Sequence, residues 1–197
     1  MKVCIIIYDK MAFHSVALLA YLLKEEGVLV RYIADQYGMI TTKEGLMISG
    51  DEVISEIKTE EYDGIIVPGG EPSLLLRQNE LKTKINEFLQ KQKIVGSICA
   101  GTIVLAEFGL LAGKKYTSSF DFSSISTYKD GTNIKKAVVH DENLITARGQ
   151  ALIEFALVYL NALGAIKPKE MTRLYKRYKP EKYKITWKLK IYDRDNT

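Results

Sequence analysis

The chain has 197 residues, 47% of them hydrophobic and 26% charged, with a formal net charge of +4. These proportions exclude a disordered or fibrous protein, and a chain of this size buries about 70% of its unfolded surface without a disulfide or a metal. Residues 167–197 hold 11 Lys/Arg against 4 Asp/Glu and residues 1–166 hold 17 against 20, so the body is mildly acidic and a basic surface over the whole molecule, as for nucleic acid, is excluded.

Val3–Tyr8 is an apolar run rich in β-branched residues, the kind buried on both faces of a parallel sheet. Helical spacing of Val16, Leu19, Ala20, Leu22 and Leu23 predicts a helix over Ser15–Glu26, closed by Gly27. Leu29–Ala34 reads as the next strand, and the glycines and β-formers of residues 38–50 predict a small hairpin. Tyr62–Val67 is a buried strand that ends at Pro68-Gly69-Gly70. A helix over Leu81–Lys91, a strand over Lys93–Ile98 and a helix over Ala100–Phe108 follow. Ala137–Val139 and Leu144–Ala147 flank a hairpin-like turn, and Ile153–Leu163 is the last helix of the body, followed by Gly164. After Pro168 the basic extension carries Tyr175, Tyr178, Tyr183, Trp187 and Tyr192, with a strand-like alternation over Lys184–Ile191. Packing of its aromatics on the body or on a second subunit is expected, with the lysines facing water.

This alternation implies an α/β domain with a mostly parallel sheet and right-handed crossovers. In such sheets ligands meet the carboxyl ends of the strands. That rule selects Tyr8–Ser15, Pro68–Ser73 and Cys99–Gly101. No apolar run reaches the roughly 18 residues of a membrane span. Cys4 and Cys99 lie 95 residues apart, a spacing that fits a reducing cytosol and no zinc motif, so a cytoplasmic protein is expected. No GxGxxG or GxSxG occurs. Neither a metal nor another cofactor is expected.

Cys99 sits where a strand gives way at once to a helix, with Ser97 two residues before it and Gly101 two after. Small residues there let the chain turn sharply and present the sulfur above the sheet, the geometry of a nucleophile elbow. Backbone N–H groups at the new helix start favour a thiolate and can bind an oxyanion. Cys4, in the middle of an apolar run, reads as core.

The segments Ser97-Ile98-Cys99-Ala100-Gly101, Asp63–Gly70 and Leu144–Gly149 resemble three motifs of the ThiJ/PfpI superfamily, in family order and spacing, and the resemblance covers about residues 1–166. It implies a flavodoxin-like fold of three layers and a homodimer. Its members include peptidases and amidases, glyoxalase- and deglycase-type enzymes, isonitrile hydratases, chaperones and redox sensors. By resemblance the cysteine works with a glutamate after the first strand, a position held here by Ser15, and with a histidine, whose possible positions are held by Ala100 and Ser119.

His14, beside Ser15, is the remaining candidate base for Cys99. His140, near the hairpin turn, reads as solvated. By resemblance the N–H groups of Gly70 and Ala100 form the oxyanion site. Asp9, Ser15, Gly69, Glu71, Gly101, Ser119 and Arg148 are expected to line it. Asp9 alternatively bonds loop amides and Glu71 alternatively stands as a solvated loop carboxylate, while Arg148 either meets an anionic substrate group or pairs with Glu154 or another carboxylate. The expected function is a cysteine hydrolase of small-molecule or peptide amides. A dicarbonyl-acting glyoxalase or deglycase, and a non-catalytic stress or redox sensor using Cys99, remain open alternatives.

Overall fold

The structure, a computed structural model, describes residues 1–179. The expected strand over Lys184–Ile191 lies outside the described residues. In chain order the elements are β1 (Lys2–Ile7), α1 (His14–Glu25), β2 (Leu29–Ala34), β3 (Met39–Thr41), β4 (Met47–Ser49), β5 (Glu52–Val53), β6 (Gly64–Val67) and α2 (Asn79–Gln90). There follow β7 (Ile94–Ile98), α3 (Gly101–Glu107), β8 (Lys115–Tyr116), β9 (Thr132–Asn133), β10 (Val138–Asp141), β11 (Leu144–Ala147), α4 (Leu152–Ala162) and α5 (Pro168–Tyr178). Each element of the body predicted from apolar periodicity is present.

Seven strands form one sheet in the order β10-β11-β7-β6-β1-β2-β5, parallel except for the β10–β11 hairpin. The chain steps outward one way from β1 to β2 and the other way from β6 to β7. Right-handed crossovers therefore place α1 and α2 on opposite faces. The adjacent β1 and β6 lead away from each other, which opens a crevice at their carboxyl ends.

Burial explains the continuous apolar runs. Val3 to Tyr8 and Ile65 to Val67 are fully buried, as expected for strands covered on both faces. Helix α4 packs on α1 and over β7 and β11, and buries Phe155 and Tyr159. Gly96 in β7 makes that approach possible, because a Cβ there would lie 2.7 Å from the Tyr159 ring. Helix α5 continues onto α4. Leu174 is buried, and Glu154 of α4 accepts hydrogen bonds from the Tyr175 hydroxyl at 3.2 Å and the Lys179 ammonium at 2.9 Å. No helix of the described residues is long and apolar enough to cross a membrane.

The expected hairpin of residues 38–50 is β3–β4, and it braces the loop after β1. The Thr41 N–H donates to the Asp9 carboxylate, and the N–H groups of Lys10 and Lys43 donate to the carbonyls of Thr41 and Met11. From the hairpin tip, Glu44 accepts the N–H groups of Phe13 and His14 at 3.1 Å each. A carboxylate there satisfies orphan amides of α1 and complements the helix dipole. Burial pushes the Glu44 carboxyl up, but hydrogen bonds from the His14 side chain and from backbone N–H groups outweigh it and hold the carboxyl at about 2. With the folded value below the unfolded one, Glu44 contributes stability that is fully present above about pH 4.5 and lost as the pH falls through about 2. Glu44→Gln is expected to cost about 1 kcal/mol at pH 7, or about 2–4 °C in Tm. Thermal unfolding should show the gap between wild type and variant narrowing as the pH is lowered to 3; a gap independent of pH would contradict the charged cap.

Candidate functional site

The site is built around the end of β7. The Cys99 N–H continues the sheet by donating to the Ala147 carbonyl at 3.0 Å, and the Cys99 carbonyl already accepts the Thr102 N–H at 3.2 Å. One residue thus closes a strand and opens a helix. The turn forces Cys99 to φ +57°, a left-handed conformation that costs a non-glycine residue about 1–2 kcal/mol. Residue 101 must be small because a Cβ there would lie 2.4 Å from the Val67 carbonyl oxygen and 2.7 Å from that of Pro68. Ser97 is fully buried, with its hydroxyl 3.5 Å from that of Thr102.

Two other loops close on the thiol. A Cβ on Gly69 would sit 2.8 Å from the Cys99 Cβ and 3.1 Å from its Sγ, and a Cβ on Gly149 would sit 3.0 Å from Sγ. The bare backbones after β6 and β11 therefore flank the sulfur of Cys99, a partly exposed residue. Cys4, by contrast, is fully buried, and burial pushes its thiol up, as expected of a core residue.

The Gly69–Gly70 peptide is held in a fixed orientation. Its carbonyl accepts the Tyr8 hydroxyl and the Ala12 N–H, both at 2.9 Å. In a planar trans peptide the Gly70 N–H then points away from both donors. Gly70 adopts φ +139°, and a Cβ there would lie 2.5 Å from the Met11 Cα, so only glycine fits. Neither the Gly70 N–H nor the Ala100 N–H donates a hydrogen bond among the described residues. Tyr8 is fully buried. Burial, then the charges of Cys99 and Glu71, push its hydroxyl up. It is therefore a protonated donor at neutral pH.

The expected site residues separate into two groups. Cys99, Ala100, Gly101, Gly69 and Gly70 meet at the elbow. His14 does not join them: its imidazole is exposed, its Nδ1 is 2.6 Å from Glu44, and it makes no hydrogen bond to Cys99 among the described residues. The helix-start location is correct, but the carboxylate of the neighbouring hairpin claims the ring. Ser15 is buried, donating to the Ala12 carbonyl at 2.7 Å and accepting the Gly69 N–H at 3.2 Å, so it ties α1 to the Gly69 loop. Asp9 binds the Thr41 amide, the loop role open to it. Glu71 accepts the Ser73 hydroxyl and lies close enough to raise Tyr8. His140 is exposed on β10. Ser119 is exposed, and it shares a hollow with Arg148, whose Nε donates to the Thr117 hydroxyl at 3.3 Å. The sequence gives Tyr8 and Gly149 no individual role, naming them only within a strand-end segment and a motif, and does not mark Glu44. Tyr8 closes its apolar run with a hydroxyl and Gly149 lies two residues past β11, signals that point to both. Glu44 acts across about 30 residues of chain and left none.

The model of the DJ-1/PfpI family matches residues 1–162. The chain belongs to that family. Among DJ-1/PfpI relatives, the uncharacterized protease YoaZ of Bacillus subtilis is 34% identical over 148 residues, 73% of this chain and 70% of its own. The deglycase TK1284 of Thermococcus kodakarensis is 32% identical over 127 residues, 64% and 76% of the two chains. The crystal structure of the DJ-1 superfamily protein Atu0886 of Agrobacterium tumefaciens superposes with a TM-score of 0.82 at 22% identity, covering 90% of this chain and 98% of that one; the likeness is one of fold.

Strain at the DJ-1/PfpI elbow has a measurable signature. Glycine relieves a positive φ that alanine does not. Cys99→Gly is expected to be about 1 kcal/mol more stable than Cys99→Ala by denaturant unfolding. An alanine variant at least as stable as the glycine variant would show that residue 99 is unstrained.

Proposed function

We propose that this protein is a cysteine-dependent acyl hydrolase. The reading rests on one observation: a strained, partly exposed thiol beside two backbone N–H groups that have no partner among the described residues. The Cys99 thiol gives its proton to solvent as its sulfur attacks an acyl carbon, forming a C–S bond while the carbonyl π pair moves to oxygen. The N–H groups of Gly70 and Ala100 donate hydrogen bonds to that oxygen, in an orientation fixed before the substrate arrives. Collapse expels the leaving group, which takes a proton from water, and a second water hydrolyses the thioester to a carboxylic acid and the free thiol. Tyr8 is a positioning residue that holds the Gly69 carbonyl.

Neither His14 nor Ser15 stands as a base at the sulfur, so no acid for the leaving group is supplied among the described residues. Amine leaving groups depend on such protonation far more than phenolates do. The activity is therefore expected to favour activated esters over peptides. Wild-type protein should hydrolyse p-nitrophenyl acetate, Cys99→Ala should lose that turnover, and Tyr8→Phe should lower kcat about tenfold or more, through a loosened oxyanion site, with little change in KM. Unchanged turnover in Cys99→Ala would overturn the assignment. The deglycase name of the Thermococcus kodakarensis relative supports a second reading, in which the same thiol adds to an aldehyde carbon of a dicarbonyl. That reading requires lactate from methylglyoxal, lost in Cys99→Ala.

A further inference from the structure

A hollow of about 690 Å³ opens beside β8, walled by Tyr116, Phe122 and Tyr128 and edged by Ser118, Lys135 and Arg148. Arg148 connects it to the thiol. Its preceding neighbour, Ala147, accepts the Cys99 N–H, and its following neighbour, Gly149, abuts the sulfur. We propose that this hollow is the substrate's acid-binding subsite, in which Arg148 pairs with a carboxylate while the packed rings form an apolar floor beneath an aromatic or apolar body. The proposal rests on the acyl-hydrolase reading and names its substrate class.

Arg148 is half-buried and forms no ion pair among the described residues. Glu154, the partner open to it from sequence, is taken by Tyr175 and Lys179. Asp121, also on the lining, is bound by the N–H and hydroxyl of Ser123 at 3.0 and 2.9 Å, which hold its carboxyl below the usual range. The guanidinium is instead oriented through Nε. Thr117, its acceptor, is fixed by the Thr146 hydroxyl at 2.8 Å and donates to the Lys136 carbonyl at 2.6 Å. An oriented, half-buried guanidinium lacking an anion is costly unless a ligand supplies one, and its fork matches a carboxylate. Asp121 on the same wall disfavours a dianionic phosphate. Tyr116 and Phe122, both buried, stack at 5.5 Å, and Tyr128 meets both edge-on, giving the hollow a rigid apolar floor. The volume lies within the roughly 300–1,000 Å³ of small-molecule sites.

Equilibrium binding of 4-acetamidobenzoate and of the neutral 4-acetamidobenzamide, by calorimetry, tests the subsite. Wild type is expected to bind the benzoate more tightly than the benzamide. Arg148→Gln should weaken the benzoate about tenfold and leave the benzamide unchanged, with Arg148→Lys in between. Equal affinity for the two probes, or a benzoate unaffected by Arg148→Gln, would overturn the proposal. Saturating benzoate should also slow iodoacetamide labelling of Cys99, and binding without protection would place the subsite away from the thiol and overturn it. Arg148-dependent binding with protection, together with full ester turnover in Cys99→Ala, would support the carboxylate site and overturn only the nucleophile.

Discussion

The positive φ of Cys99 is the constraint on which the site depends. The residue must end β7 by bonding to Ala147 and begin α3 by accepting from Thr102, and only a left-handed turn does both within one residue. The cost, about 1–2 kcal/mol, is carried by packing around it. Ile98 and Val104 are fully buried on either side of the turn, and Gly101 presses onto the carbonyls that end β6. The turn lifts the sulfur out of the sheet and leaves the Ala100 N–H beside it with no partner among the described residues.

The topology assembles the other parts at the same place. Because β1 and β6 are neighbours whose chains leave in opposite directions, the loops after both converge on one crevice. Tyr8 ends the first strand, Gly69 and Gly70 follow the second, and β7, next to β6, carries Cys99. The hairpin β3–β4 then fixes the loop after β1 through Asp9, Thr41 and Glu44. The proposed oxyanion site, made of backbone, requires this bracing, since N–H groups on a mobile loop would have to reorganise as charge develops.

The strands and helices are legible because their apolar patterning reports burial directly: Val3–Tyr8 and Ile65–Val67 are short, β-branched apolar runs of the kind covered on both faces. The elbow was legible for a local reason, since Ser97, Cys99 and Gly101 lie within five residues and steric limits act over that distance. The partners of polar side chains were not. His14 was correctly placed at the start of a helix after β1, yet its ring answers to Glu44, whose position depends on hairpin register. The choice for Arg148 between Glu154 and a ligand turned on Tyr175 and Lys179, residues of a helix whose docking no local pattern announces. Tyr8 was read as the last apolar residue of a strand, although its hydroxyl sets the Gly69–Gly70 peptide.

The site therefore has an oriented thiol and oriented N–H donors but, among the described residues, no side-chain acid or base bonded to the sulfur, a combination that on the proposed reading suits substrates with their own good leaving group. Its reactive centre can be observed directly by acid-quenching the protein during reaction with p-nitrophenyl acetate and mapping the acyl group by peptide mass analysis. A thioester on Cys99, formed and lost at the rate of turnover and lacking from Cys4, is the expected result. Turnover with no acyl group on Cys99, or acylation confined to other residues, would contradict it.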